Sequence, residues 1–172
     1  EMKDIKENYI SKNEDFYYII DDILKNKEFQ KLKEVKHHGI TRYNHLLRVA
    51  YYTYLITKKL NLKYVEATRG ALLHDFFSDE TKNDSSYNAL INHPEYALKN
   101  ASKHFELTTL EKDIIKTHMF PITKVPPHYK ESHIVDIVDD VCSCYEKTYS
   151  IRKELKTATT FLFILISLKI KY

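Results

Sequence analysis

Six residues able to ligate a metal, His45, His74, Asp75, His93, His118 and Asp139, are spread along the 172-residue chain at intervals that let separate helices deliver them to one point. None is a cysteine thiolate. Imidazole nitrogen mixed with carboxylate oxygen suits Fe, Mn, Co, Ni or Zn, and thiolate-free sites of this kind are more often catalytic than structural. The doublet His74-Asp75 closes the apolar run Ala71-Leu72-Leu73 and is followed by Phe76-Phe77. A carboxylate set in that much apolar surface is expensive to bury unless a cation or several donors satisfy it. Taken singly, each histidine reads as a surface or hydrogen-bonded core residue, and the doublet as a buried hydrogen-bonded pair. Jointly they point to a metal-dependent hydrolase.

Neighbouring helical residues point about 100° apart, so His74 and Asp75 can reach one ion only near a helix end, with the other ligands arriving from elsewhere. Apolar spacing predicts that arrangement. Two short amphipathic helices cover Glu14 to Asn26 and Lys27 to Lys36, broken by His37-His38-Gly39. A long helix from Tyr43 to Leu60 carries His45 in its first turn and an apolar face of Leu46, Leu47, Val49, Ala50, Leu55 and Ile56. Another runs from Tyr64 to Asp75. Ser78 to Ser86 reads as a loop, and Pro94 suits the first position of the next helix, which puts His93 at the junction. Thr108 and Glu111 form a capping-box pattern for a helix ending near His118, ahead of Pro121. After a Pro-rich loop, Ile134, Ile137, Val138, Val141 and Tyr145 form the stripe of a helix from Glu131, and a terminal helix begins at Lys147. The last ligand comes from Asp136, Asp139 or Asp140. Asp139 borders the stripe and is chosen on that geometry, by a small margin over Asp140.

The fold class is all-α, a helical bundle of roughly six to eight helices, read as one domain over 1–172 with a ligand-bearing core of about 36–145 and a terminal helix of about 147–170. Two glycines, four prolines and no tryptophan leave few positions for dense hairpins. A net charge of +3 with scattered basic residues excludes a nucleic-acid-binding stripe. Cys142 and Cys144 sit two apart, where a helix points them to different sides, which suits a reducing, cytoplasmic setting. The charged amino end shows no signal peptide. Phe161 to Leu168 is too short for a membrane span, which needs roughly 20 apolar residues, and reads as a buried terminal helix.

At His45, the His74-Asp75 doublet and Asp139, the chain resembles the HD-domain superfamily of metal-dependent phosphohydrolases, and most closely its small bacterial hydrolases of unassigned substrate. The resemblance spans roughly 36–145, and His93 and His118 look like the extra ligands of the branches that hold two metals. It implies that His45, His74 and Asp139 hold one divalent ion, that His93 and His118 hold a second, and that Asp75 bridges them. On that resemblance, two ions roughly 3.5–4 Å apart would share a water, and the resulting hydroxide would be the nucleophile toward the phosphoester of a nucleotide or other small substrate. Fe or Mn is favoured, with Co, Ni and Zn as other occupants. Arg48 and Arg42 are candidate phosphate contacts, with Lys82 and Lys124 in loops nearby; His38 is a candidate substrate contact or proton donor. The Gly-Tyr-Pro signature of cyclic-di-GMP hydrolysis is absent, because Met119-Phe120-Pro121 follows His118. Three other readings share these residues: a mononuclear phosphohydrolase, a non-catalytic module binding a nucleotide or protein, and a di-iron oxygenase. Neither a membrane nor a nucleic-acid polymer is an expected partner. The tyrosine-rich surface permits a homodimer without a heptad seam to demand one.

Overall fold

The computed structural model describes residues 9–11, 13–37, 39–78 and 85–169. Among these the chain is all-α, with seven helices: α1 (Glu14–Lys25), α2 (Lys27–Lys31), α3 (Arg42–Lys59), α4 (Tyr64–Leu73), α5 (Ser86–His104), α6 (Thr109–Thr117) and α7 (Lys130–Lys169). Short polar side chains begin five of them by accepting from free first-turn amides: Asn13, Asn26, Thr41, Ser85 and Thr108. Thr108 and Glu111 complete the capping box that their spacing predicts.

Three differences from the sequence reading have identifiable causes. α2 stops at Lys31, and the following residues form a small antiparallel hairpin, β1 (Lys36–His37) and β2 (Ile40–Thr41), with Lys36 opposite Thr41. Gly39 supplies the positive φ of +87° that its turn requires. α5 begins at Ser86, eight residues before Pro94, so His93 lies inside a helix rather than at its entrance. Ser85 is the cap that starts it. α7 runs unbroken for 40 residues through the expected boundary near Lys147. It contains no glycine or proline that would end it.

Burial also corrects two apolar faces. On α3 the inner positions continue from Leu46, Val49 and Ala50 to Thr53 and Thr57, while Leu55 and Ile56 stand partly exposed. Thr57 makes this tolerable by donating its hydroxyl to the Thr53 carbonyl at 2.7 Å. On α7 the core face is Val135, Val138 and Cys142, whereas Ile137, Val141 and Tyr145 are more than half exposed. The side chains of Phe161 to Leu168, expected to be buried, lie outside the described residues. No helix among the described residues is long and apolar enough to cross a membrane.

The core that positions the site is built where α3, α4, α6 and α7 meet, from Leu46, Leu47, Ala71, Leu72, Ile114, Ile115 and Val135. Gly70 sets the spacing of two of these helices. A Cβ there would stand 2.8 Å from Ile114 Cδ1 and 3.1 Å from its Cβ, so a larger residue would push α4 away from α6. Those helices end at His74 and His118 respectively.

Candidate metal centre

His74 and His118 are the carboxyl-terminal cap residues of α4 and α6, and Asp75 follows one step beyond the first. Helix ends leave carbonyls without amide partners. Each histidine uses one of them: Nδ1 of His74 donates to the Ala71 carbonyl at 2.7 Å, and Nδ1 of His118 to the Ile115 carbonyl at 2.9 Å. His93, within α5, does the same toward Ala89 at 3.2 Å. His45, in the first turn of α3, points Nδ1 at the Glu146 carboxylate instead, 2.9 Å away. With Nδ1 carrying the proton, all four rings turn Nε2 inward, the nitrogen a metal ligand needs, and His45, which also meets Asp139 through Nε2, would bind an ion by giving up its proton there.

Those nitrogens converge with two carboxylates. Asp139 places Oδ1 2.9 Å from His45 Nε2 and Oδ2 3.7 Å from His74 Nε2. Asp75 places Oδ1 3.3 Å from His93 Nε2 and 3.5 Å from His118 Nε2. Two groups of ligating atoms result, His45 with His74 and Asp139, and His74 with Asp75 and His118, each within 4.8 Å of one another. His93 adjoins the second, its Nε2 lying 2.9 Å from that of His118. All six residues proposed from sequence are thus brought together, and Asp139 rather than Asp136 or Asp140 faces the histidines.

These atoms fit a cation. Nε2 of His74 and Oδ1 of Asp75 are buried without a hydrogen-bond partner among the described residues, an expensive state for polar atoms. The facing Nε2 atoms of His93 and His118 repel unless a proton or a metal ion lies between them.

The electrostatics follow the same division. Burial opposes charge on His45, but hydrogen bonds to Asp139 and Glu146 outweigh it and push the imidazole up to about 10. Burial holds His74 down at about 4. It would raise both aspartates; instead His93, His118 and His74 keep Asp75, and His74 and His45 keep Asp139, below the usual carboxylate range.

Of the remaining sequence candidates, Arg42 lies at the site, with Nε 3.9 Å from Asp75 Oδ2 and its guanidinium 3.8 Å over the Phe77 ring. Arg48 does not face the ligands. It is buried in an ion pair with Glu146, whose other carboxylate oxygen meets Nδ1 of His45, the nitrogen turned away from the other ligands. Arg48 also lines a cavity of about 420 Å³ with Tyr9, Tyr52 and Tyr145, to which none of the six ligand candidates contributes. Lys124 is exposed, and His38 and Lys82 lie outside the described residues.

Sequence reasoning missed Glu146, whose side chain is fully buried. Its signal was available: it follows Asp139 by seven residues, two helical turns, and so shares its face.

Residues 42–143, more than half of the chain, match the family model of the HD domain. The chain belongs to the HD-domain family. HD domains bind divalent metals and are typically metal-dependent hydrolases, and the matched region contains all six ligand candidates. It ends three residues before Glu146. The chain matches no curated protein and no solved structure.

Proposed function

We propose that this HD-domain chain is a dinuclear metal-dependent phosphohydrolase acting on a nucleotide or another small phosphoester. The observation that carries this reading is the pair of ligand groups sharing one buried cluster, with four imidazoles whose Nδ1 contacts turn Nε2 inward. His45, His74 and Asp139 would hold one ion, His93 and His118 the other, and Asp75 lies where it can serve both. Divalent ions supply a water acidified toward neutrality and a Lewis acid for phosphoryl oxygens.

The chain's own residues do the rest. Asp75 and Asp139 together would repel a phosphate, and two divalent ions reverse that charge. Arg42 then offers a cation at the rim, held in place by donating Nη1 to the Phe77 carbonyl at 2.6 Å and by the face of the Phe77 ring. A guanidinium in this position suits a phosphoester oxygen better than a mobile lysine does. Phe77 also packs against His93 at 5.4 Å between ring centres, which ties the substrate-side cation to the ligand beside it. No serine or cysteine nucleophile is called for.

The test is turnover of a panel of nucleotides and generic phosphomonoesters and diesters by chelated protein, and by protein reconstituted with Mn, Fe, Co, Ni or Zn. Phosphate or alcohol release that requires metal and disappears in Asp75→Ala supports the proposal. Failure to bind any of these metals would end it.

A further inference from the structure

Three of the four inward-facing imidazoles rest on neutral backbone carbonyls, those of Ala71, Ala89 and Ile115. The fourth rests on a carboxylate. Glu146 presents Oε2 to His45 Nδ1 at 2.9 Å, while Asp139, from the same helix face two turns earlier, meets the opposite nitrogen at 2.9 Å. One helix therefore supplies both the direct carboxylate and the backing carboxylate to a single ring.

A buried carboxylate needs compensation, and Arg48 provides it by pairing with Oε1. Arg48 and His45 are three residues apart on α3, so one turn of one helix presents both partners to Glu146. The guanidinium is itself steadied over the Tyr145 ring at 5.3 Å. With Oε1 committed to Arg48, Oε2 is left aimed at His45.

An anionic acceptor on Nδ1–H raises the electron density at Nε2 and fixes the ring's orientation, and loss of such a partner typically costs a metal site about 10–100-fold in affinity. We infer that Glu146 is a positioning residue that makes the His45–His74–Asp139 position the tighter of the two, so that divalent ions load there first. The inference rests on the metal-centre reading above and concerns a residue outside the matched HD-domain region.

The experiment is titration of chelated wild-type protein and Glu146→Gln with Co²⁺, followed by the visible spectrum of the bound ion and by elemental analysis. Glutamine keeps an acceptor for His45 while removing the charge. The expected result is two resolved equivalents in the wild type. In the variant the first equivalent weakens about 10–100-fold and changes its spectrum, while the second keeps its affinity. A variant that binds both equivalents with wild-type affinity and spectrum overturns the inference but leaves the metal centre standing. A wild type that binds no Co²⁺ overturns both. Should Arg48, left without its counter-charge, unfold the single variant, Glu146→Gln combined with Arg48→Gln removes both buried charges and permits the same comparison.

Discussion

The two ends of the ligand cluster are built differently. At the His45 end, two long helices carry the ring and both of its carboxylates, and an ion pair with Arg48 locks the outer one. At the His93 end, His118 and Asp75 sit at or just beyond helix ends, and every imidazole leans on a carbonyl. The first end holds its geometry by charge within rigid elements. The second depends on how closely α4, α5 and α6 approach one another. A metal-free chain should therefore keep the His45 end nearly intact and rely on a bound ion to relieve the facing lone pairs of His93 and His118.

The most damaging change should be at the residue placed to serve both ends. Asp75→Ala is expected to remove both ions and to lower turnover by more than about a thousandfold, since the metals supply several kcal/mol of transition-state stabilisation. Elemental analysis alongside a phosphoesterase assay reads both. Retention of two ions and full turnover would show that Asp75 does not connect the ends.

Separate truncations sharpen the comparison. His93→Ala should leave one ion per chain, bound as tightly as the first ion of the wild type. His45→Ala should leave one ion bound no more tightly than the wild type's second, with Glu146 still paired to Arg48. Equal losses in the two variants would mean that the ends are not distinct sites.

Gly70→Ala probes the second end without touching a ligand. The added methyl would meet Ile114 at 2.8 Å and displace α6, and with it His118, which belongs to the second ion alone. Overpacking of this kind costs about 1–3 kcal/mol. A lower melting temperature should accompany weaker binding of the second ion, with the first spared. A variant in which the first ion weakens instead would place the strain at the wrong end.

Much of this division was legible in the chain. The His-Asp doublet closing an apolar run, the histidine in a first helical turn and the capping box before His118 are local patterns, and each depends on neighbours within a few residues. What was not legible depends on helix crossings. Which face of α7 turns inward could not be read from its apolar stripe, because Ile137, Val141 and Tyr145 are exposed while Asp139 and Glu146 take inner positions. Burying polar groups beside apolar ones breaks the amphipathic pattern at the place where function resides. The entrance of α5 was misplaced for a different reason: Pro94 is favourable at a first turn and costs about 3 kcal/mol inside a helix, and the protein bears that cost next to a site histidine.

The smallest expected effect concerns the contact that holds the second end from behind. Asp113, on α6 five residues before His118, accepts from the His128 imidazole at 2.6 Å, from the His128 backbone amide at 3.1 Å and from the Ser132 hydroxyl at 2.6 Å. These bonds tie the Pro-rich loop and the first turn of α7 to α6. Burial would raise the Asp113 carboxyl, but the bonds from Ser132 and His128 outweigh it and hold it below its ordinary value. A depressed folded-state pKa contributes stability that is present above the unfolded value, roughly 3.9, and is lost as pH falls through the folded one. Asp113→Asn should therefore melt slightly below the wild type at pH 7, and the two melting temperatures should converge below about pH 4. A gap that stays constant down to pH 3 would mean that the carboxylate's charge contributes nothing and that hydrogen-bond geometry alone braces α6 under His118.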